Sequence, residues 1–457
     1  MEKVTLTDNR LTDEQITNYV THFDSTYFAE NEKYYKGENP TISDRKAPEN
    51  TGNTPDNKVP MSYARKIVNT VVGYMYKPGL IFYSSEKEKY LEEIKRIFDL
   101  NHESLKSALI GKQASIYGNG YELHYMDEKS QPRFCKISER EIVPLYDYSI
   151  EPQLIAAIRF YNIKNADGGE VTKIHIYYPD RIQNCEMTKG GGGFKTIDEN
   201  EHHYGQVPLV VYYNNEDELG DFDTVKKLID AYDVLMSDSL NEFDRFAWAY
   251  LILKGLSLQD EDAENIKEKR VLELPSGVEN EIKFLTKDIP SDFIKFMSEW
   301  IRKEIHKQSH VPDFLDNAQT GDSLSGVAIS KLLYDFEFIA ATKEAYFKEG
   351  LYKRLELINT ILNIRDGKSE IMKEIQIVMK RNIPQNDKEN AEIFGAYDGR
   401  GISKETLIDN FANFVDDAKE EMKKYEAEQG EIVDLDNIDS QIDKNPVTEE
   451  DNDFKDL

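Results

Sequence analysis

Two histidines, His306 and His310, have the spacing in this chain that most suggests metal chemistry. Residues four apart share one face of a helix, so two imidazoles at this spacing can bind a single metal ion. The residues between them include lysine, glutamine and serine, whereas the helical metalloprotease pattern requires a glutamate at that place. No third ligand follows at a suitable spacing. We therefore expect a solvated helix end here and no metal site.

Glycine-rich stretches often hold phosphate groups, but those of this chain lack the accompanying residues. The run from Gly190 to Gly193 has no neighbouring Lys and Ser/Thr pair, which favours a hairpin tip. Gly111 precedes Lys112 without the upstream glycine of a nucleotide-binding loop. Gly118 and Gly120 are typical of a turn. No nucleotide cofactor is expected.

Nucleophilic catalysis also finds no support in the sequence. There is no GxSxG motif, and Cys135 and Cys185 are isolated from a histidine pattern. Carboxylates are so abundant that no acid pair stands out. We therefore predict no catalytic residue and no cofactor, and keep an unrecognised hydrolase only as a distant alternative.

The charge of the chain is strongly acidic. It has 457 residues, enough for two to four packing units, with 57 basic and 86 acidic side chains and a net charge of −29. A protein that grips nucleic acid by neutralising phosphates is expected to be basic, so an acidic solvated surface is the simplest interpretation. The two cysteines favour a reducing cytoplasm. No apolar run reaches the ~20 residues of a membrane span, and no signal peptide is indicated.

The first half of the chain predicts a mixed α+β domain. Thr12 caps a helical signal that continues to about residue 35, and three further helices follow up to a turn at Gly118. From 130 to 215, short alternating segments separated by Gly, Pro, Asn and Asp predict an antiparallel sheet with hairpins.

The second half returns to helical periodicity. Residues 219–253 predict a helix with a mainly acidic polar face, and 254–290 predict a small insert with two short strands, VLELPSG and EIKFLTK. An insert between two helices suggests a tip on a two-helix stalk. A strand, EIQIVMKRNIP, and two further helices follow residue 365.

The stretch from 291 to 365 organises the rest of the chain. An amphipathic helix ends near Pro312, a polar hinge follows, and apolar residues from Leu324 to Leu362 keep a helical period. About 40 residues at 1.5 Å each predict a helix of roughly 60 Å. Its apolar stripe is too long for one small core, so it spans a large architecture or packs against copies of itself.

Several stretches together carry a family resemblance: YYKGENPTI, NKVPMSYARKIVNTVVGYMYKPG, YGNGYELHY, SGVAISKLLYDFEFIAATKEAYFKEGLYKRLELI, MKRNIPQNDKENAE and GISKETLIDNFANFVDDAKEEMKKYEAE. In this order they resemble portal proteins of tailed bacteriophages, of the siphophage type common among phages of Gram-positive hosts. The resemblance covers residues 34 to 428 or thereabouts. Each stretch alone is moderately specific, and their shared order makes the match stronger.

The resemblance implies an α+β, mainly α, portal fold with a wing, a helical stem, a small α/β clip, a long kinked helix and a helical crown. It also implies assembly as a ring, usually of about twelve subunits. The implied divisions are the wing at 1–218 with the start of the long helix, the stem at 219–253 and 291–310, the clip at 254–290, the tunnel-loop region at 311–323, the long helix at 324–366 and the crown at 367–428. The remaining residues, 429–457, are acidic and poor in apolar side chains, and this composition predicts a disordered tail.

The implied function is a channel at one capsid vertex, through which double-stranded DNA is packaged and ejected. The DNA-facing tunnel loop would comprise Leu315, Asp316, Asn317, Ala318, Gln319, Thr320, Gly321 and Asp322. Carboxylates of the first stem helix are possible channel lining, with ordinary outer surface as the competing interpretation: Asp223, Asp230, Asp233, Asp238 and Glu242.

The implied partners are other copies of the chain, terminase, a head-completion or adaptor protein, the major capsid and scaffolding proteins, and DNA without sequence specificity. No membrane contact is expected, and the implied location is the virion after assembly in the host cytoplasm. An acidic oligomeric scaffold or adaptor ring that never passes DNA is the alternative.

Overall fold

The computed structural model describes most of the chain, namely residues 1–46, 55–164, 168–188, 192–246, 250–254, 281–285, 291–313, 331–367, 374–383, 387–411, 415 and 421–427. The chain divides into two compact units. The first comprises Met1–Thr320 and Leu333–Asn382, and the second comprises Gly321–Leu332 and Ile383–Leu457.

The first unit opens with three short helices, α1 (Asp13–Thr21), α2 (Thr26–Lys36) and α3 (Pro40–Ser43). The cap predicted at Thr12 is confirmed, because its hydroxyl accepts from the Gln15 backbone N–H at 3.2 Å in a capping box. The single predicted helical signal becomes two helices. Asp24 accepts from the Thr26 N–H at 2.8 Å, so the chain has a local alternative to continuing the helix.

Three longer helices follow as the apolar spacing predicts: α4 (Tyr63–Met75), α5 (Glu88–Asn101) and α6 (Glu103–Tyr117). Ile67 and Val68, on the predicted apolar face of α4, are fully buried. The turn predicted at Gly118 is present with φ at 85°. A Cβ at this position would lie 1.8 Å from the carbonyl oxygen of Glu218, so only glycine fits.

The predicted antiparallel region forms two sheets. The strands of this region are β3 (Asn119–Met126), β4 (Pro132–Ile137), β5 (Ile142–Tyr146), β6 (Leu154–Lys164), β7 (Glu170–Tyr177), β8 (Arg181–Thr188), β9 (Gly192–Glu201) and β10 (Leu209–Tyr213). Two short strands precede them in the chain, β1 (Glu2–Lys3) and β2 (Ile81–Ser84). One sheet has the order β10-β3-β4, and the other β1-β5-β6-β7-β8-β9. Strand β1 pairs in parallel with β5, whereas the others are antiparallel.

The N-terminal segment covers one face of the six-stranded sheet. Val4, Leu11 and Ile16 pack in one buried cluster with residues of β5 to β8, including Leu145 and Ile174. Burying aliphatic side chains of this size contributes on the order of 1.5–3 kcal/mol each. The beginning of the chain is therefore an integral part of this sheet's core.

The stem predicted at 219–253 and 291–310 is largely helical, with one correction. A 3₁₀ turn (Asp223–Val225) leads into α7 (Lys226–Phe246), and α8 (Ser291–Gln308) packs against it. The prediction of helix through residue 253 is wrong, because Tyr250–Lys254 forms strand β11. The apolar run at 250–254 is compatible with a helix or a strand when the sequence is considered alone. It forms a strand because it pairs with another strand.

The partner of β11 is β12 (Glu281–Leu285), and the two are antiparallel. This strand confirms the prediction for EIKFLTK. Residues 271–277 lie outside the described residues, as does most of the predicted clip.

The long helix α9 extends from Tyr334 to Asp366, about 50 Å at 1.5 Å per residue. Residues 324–330 of its predicted start lie outside the described residues. Phe347, Leu351, Leu355 and Ile358 are fully buried, and the helix contacts β10 and α4. Most of the apolar stripe is therefore buried within the chain, which agrees with the first of the two predicted alternatives.

Strand β13 (Gln376–Met379) confirms the prediction at the end of the first unit and pairs antiparallel with β2.

The second unit contains α10 (Asp387–Tyr397), which the sequence did not predict, and α11 (Lys404–Phe411), which it did. Residues 421–427 are helical, and the predicted acidic tail from 429 onward lies outside the described residues. Within the described ranges, no helix has the length and hydropathy needed to span a bilayer.

Candidate functional site: the stem helices and the base of the loop

The acidic side of the first stem helix faces donors from the N-terminal region of the same chain. The hydroxyl of Tyr27 donates to Asp223 at 2.5 Å, and that of Tyr34 donates to Asp230 at 2.7 Å. Lys226 lies 2.8 Å from Asp223. Burial and the neighbouring carboxylates raise the pKa of both phenols, so each stays protonated and donates.

Asp233 is the most buried of these carboxylates, with no exposed surface. It accepts from the Asn39 side chain at 2.7 Å and from the Met61 backbone N–H at 2.8 Å. Burial raises the pKa of Asp233 to about 6, while the two hydrogen bonds oppose the shift. Its charge is therefore held by neutral donors, with no cation in contact with it among the described residues.

The last two predicted lining residues lie nearer the surface. Asp238 forms an ion pair with Arg45 at 2.6 Å, and Glu242 is half-buried beside an apolar groove between α7 and α8. Sequence reasoning missed the partners of this acidic face because residues 27–61 show no pattern that points to it. Whether any of the five carboxylates lines a channel stays a prediction.

An extended segment, the strap (residues 55–62), is bound along α7 by alternate backbone amides. The Asn57 N–H donates to Asn241 at 2.6 Å, the Val59 N–H to Ser237 at 3.0 Å, and the Met61 N–H to Asp233. Two residues of an extended chain span about 6.6 Å, and four residues of a helix span about 6.0 Å. Every second amide of the strap therefore lies beside every fourth residue of α7. The strap thereby fixes the position of α7 against the N-terminal region.

The end of α8 differs from the prediction of a solvated terminus. His306 is buried, and its Nδ1 lies 2.9 Å from the Val311 carbonyl oxygen, to which it donates. Its Nε2 lies 3.2 Å from the Lys66 ammonium and accepts from it. Burial lowers the pKa of His306, in agreement with a neutral ring. The prediction of solvent exposure is therefore wrong for His306, because the chain folds back over it after residue 308.

Metal binding at this place gains no support from the structure. Across the ranges that the structure describes, no group of three or more His, Cys, Asp or Glu side chains is arranged to hold a metal ion. His310 adopts a left-handed backbone conformation with φ at 56°, in the turn that follows α8.

Asp313 sits at the entrance to the predicted tunnel loop and is surrounded by basic groups. Its carboxylate lies 3.5 Å from Arg302, 3.9 Å from Lys66 and 3.7 Å from His306 Nε2. The side chain is only 9% exposed. The chain entering the loop is therefore anchored to both α4 and α8. The predicted loop itself, Leu315–Asp322, lies outside the described residues.

On the far side of the loop, α9 begins with its own anchor. Arg381 lies 3.0 Å from Glu337 and 2.6 Å from Glu344, and the Tyr74 hydroxyl donates to Glu337 at 2.6 Å. Leu333, just before α9, is buried. The described segments on both sides of the loop are thus held by side-chain contacts.

Two buried cations fix the middle of α9 to other elements of the first unit. Lys343 lies 2.5 Å from Asp221 and is only 3% exposed. Arg354 is fully buried, with Nη1 at 2.7 Å from Glu103 and Nη2 at 2.7 Å from Glu122. Burial alone would raise the pKa of Glu122, but Arg354 and His124 together lower it to about 2.

Sequence reasoning missed these two anchors, although a signal for them exists. Lys343 and Arg354 are eleven residues apart, close to three helical turns, and both fall within the apolar stripe of α9. A basic residue that interrupts an apolar stripe needs a buried carboxylate partner. The sequence does not indicate which carboxylates supply it.

The stem also exposes large apolar side chains. Phe243, Phe293, Phe296 and Trp300 are 64%, 58%, 61% and 47% exposed. Phe293 lines the groove between α7 and α8, and the other three lie close in sequence to groove residues. The groove is lined by Ala231, Val234, Leu235, Asp238, Ser239, Glu242, Phe293, Ile294, Met297 and Ile301. Exposed apolar groups of this size and number are typical of protein interfaces.

The pH dependence of stability offers a test of the Asp233 environment. Its pKa is raised from 3.8 to about 6 on folding, so the folded chain binds this proton more tightly. The unfolding free energy should therefore rise as pH falls from 7 through 6 towards 4, by at most about 3 kcal/mol. In Asp233→Asn, this rise in the unfolding free energy between pH 7 and 4 should be absent, as measured by denaturant titrations across that range. Asp238→Asn is the matched control and should retain it; equal pH profiles for wild type and Asp233→Asn would contradict the assignment.

The chain resembles known proteins over most of its length. It is 24% identical over 423 residues to a portal protein of Clostridium phage phiCD119, covering 88% of this chain and 90% of the relative. It is 24% identical over 405 residues to the portal protein of Bacillus phage SPP1, covering 83% of this chain and 78% of the relative.

One solved structure, described as the neck of an empty GTA particle computed with C6 symmetry, aligns with a TM-score of 0.46 and 12% identity over 85% of this chain and 94% of the other. The family model described as phage portal protein, SPP1 Gp6-like, matches residues 19–434. That match includes both stem helices, the long helix and nearly all of the two sheets. The chain therefore belongs to the SPP1 Gp6-like family of phage portal proteins.

Proposed function

We propose that this chain forms the ring-shaped channel at the capsid vertex through which double-stranded DNA is packaged and ejected. Membership of the portal family carries the proposal, and the stem geometry supports it. The proposed ring has about twelve subunits, related by rotation so that each subunit meets its neighbours through two different surfaces. The location is the virion, after assembly in the host cytoplasm.

The exposed stem residues support the ring. Phe296 and Trp300 lie one turn apart on α8, and the apolar groove between α7 and α8 offers a surface for side chains of a neighbouring copy. Burying such aromatic groups contributes much of the stability of permanent interfaces. In this proposal, the stem of each subunit buries its aromatic face against the next.

The proposed DNA contacts come from the loop Leu315–Asp322. In this proposal their affinity for DNA is low. A net charge of −29 opposes tight binding to phosphates, which suits a channel through which DNA must slide. Asp238 and Glu242 are the carboxylates of α7 proposed to lie where the subunit contact meets the channel, since they are nearer the surface than Asp233 and border the groove between α7 and α8. The anchor at Asp313 holds the base of the loop while its tip contacts DNA.

The proposed partners are terminase, a head-completion or adaptor protein, and the major capsid and scaffolding proteins. The chain itself is proposed to be structural, with no catalytic residue, metal or other cofactor, and with no membrane contact. An acidic scaffold or adaptor ring without DNA passage is the competing function.

Deleting Asp316–Gly321 distinguishes the two functions. If the loop contacts moving DNA, the deletion should reduce packaged DNA per capsid by more than tenfold while rings still assemble. Packaging is measured as nuclease-protected DNA in an assembly reaction, and ring assembly by native mass spectrometry. Normal packaging by deleted rings would favour the scaffold function.

The stem interface predicts a second outcome. Phe296→Ser should shift the assembled ring towards monomers, because it removes a large aromatic group that is 61% exposed in the single chain. Ile150→Ser, at a fully exposed position outside the stem, is the matched control. The ring-to-monomer ratio in native mass spectrometry should fall at least tenfold for Phe296→Ser only. A wild-type chain that is monomeric under all conditions would contradict the ring itself.

A further inference from the structure

Helix α6 carries an exposed aliphatic stripe outside the stem. Leu105 and Leu109 are 53% and 41% exposed. Lys112 lies on the same face, because residues at i, i+4 and i+7 of an α-helix align. The opposite face of α6, with Ile110 and Ala114, is buried. The stripe is about 10 Å long and ends in a positive charge.

The positive end contains two cations held around one aromatic ring. The Lys112 ammonium lies 4.7 Å from the ring centroid of Tyr35, and the Arg65 guanidinium carbon lies 5.7 Å from it. Arg65 also donates to the carbonyl oxygens of Tyr35 and Lys36, at 3.0 and 2.8 Å. The Tyr35 hydroxyl donates to Asn69 at 3.0 Å. These contacts hold the cations in a defined place.

Neither cation forms an ion pair with a carboxylate of the described residues. In the part of the chain that the structure describes, no carboxylate oxygen lies within 4.0 Å of the charged nitrogens of Lys112 or Arg65. Nearby Lys36, in contrast, is paired with Glu32 at 2.6 Å. In a chain of net charge −29, this is a local excess of positive charge beside exposed leucines.

We infer that the surface formed by Leu105, Leu109, Lys112 and Arg65 binds an amphipathic helix of a partner protein. The partner helix places aliphatic side chains on the two leucines and an aspartate or glutamate on the two cations. A convex helix face with ridges at i and i+4 is well matched by a second helix. None of the four residues belongs to the stem helices that carry the proposed ring contact.

The chemistry of the surface favours a protein partner over nucleic acid. Leucine side chains gain nothing from contact with phosphates, and the net charge of the chain disfavours DNA binding at long range. A helix with an apolar face and a carboxylate can contact the two leucines and pair with the two cations at the same time.

The test uses the full chain and a defined probe. The probe is an alanine-based helical peptide with two leucines four residues apart and a glutamate one turn beyond them; a matched peptide carries lysine in place of glutamate. Fluorescence anisotropy should give a dissociation constant at least tenfold lower for the glutamate peptide. Lys112→Glu should reverse this preference, and Leu105→Ser with Leu109→Ser should weaken both peptides at least fivefold.

Controls separate the surface from folding and general charge. Lys95→Glu, at an exposed position on α5, should leave the preference unchanged. Lys112→Gln should abolish the preference without reversing it, and unchanged circular-dichroism melting should show that each variant folds. Equal binding of the two peptides, or a preference that survives Lys112→Glu, would overturn the inference. So would displacement of the glutamate peptide by duplex DNA, or a cross-link through Leu109→Cys to a second copy of the chain.

Discussion

Arg354→Met is expected to lower the unfolding free energy by about 3–5 kcal/mol, as when one member of a buried ion pair is removed. The guanidinium is fully buried and contacts Glu103 and Glu122. Methionine has a similar length but no charge, so two carboxylates would remain buried without their cation. Chemical denaturation followed by circular dichroism measures the change at neutral pH.

The matched control for this prediction is Arg365→Met on the same helix. Arg365 pairs with Glu93 at 3.0 Å near the surface, where an ion pair contributes at most about 1 kcal/mol. Combining Arg354→Met with Glu103→Gln and Glu122→Gln should recover much of the loss, because the uncompensated charges disappear. A loss for Arg354→Met no larger than that for Arg365→Met would contradict the role of the network.

The same network predicts a response to acid. The pKa of Glu122 falls from 4.5 to about 2 on folding, so its contribution to stability is complete above about pH 4.5. That contribution should be lost as pH falls towards 2. The Arg354→Met variant should lose little further stability from Glu122 over this pH range, because most of the Glu122 contribution is already missing.

Lys343→Met is expected to have the second largest effect, a loss of about 3 kcal/mol. The ammonium lies 2.5 Å from Asp221 and is almost completely buried. Burial lowers the pKa of Lys343, whereas Asp221 raises it, so removing the lysine leaves a buried carboxylate with weaker partners. Asn214 still donates to Asp221 at 2.8 Å and limits the loss.

Lys348→Met provides the comparison for Lys343→Met. Lys348 pairs with Glu344 at 2.6 Å on the same helix, in the i, i+4 arrangement worth about 0.3–0.5 kcal/mol. Lys343→Met combined with Asp221→Asn should be more stable than Lys343→Met alone. If the single variant lost no more than Lys348→Met, the assignment of Lys343 as a buried anchor would be wrong.

The elements that the sequence predicts well are those whose signal is local. The apolar spacing at Ile67 and Val68 is sufficient for α4, and the Gly118 turn requires only one residue and its neighbour. The hairpins between 130 and 215 follow from alternation and turn residues within each segment. These predictions hold because nearby residues decide them.

The predictions that fail depend on distant partners. Tyr250–Lys254 becomes a strand because Glu281–Leu285 pairs with it, some 30 residues later. His306 is buried because Val311 and Lys66 contact it from two sides. The partners of Asp233 lie more than 170 residues away along the chain. No period or motif in one segment encodes such pairings.

The strap gives α7 torsional stiffness. Its amides meet side chains at 233, 237 and 241, which share one narrow line along the helix. A rotation of α7 by one residue, about 100°, would carry all three acceptors away from the amides together. The three bonds therefore oppose rotation of α7 about its axis jointly.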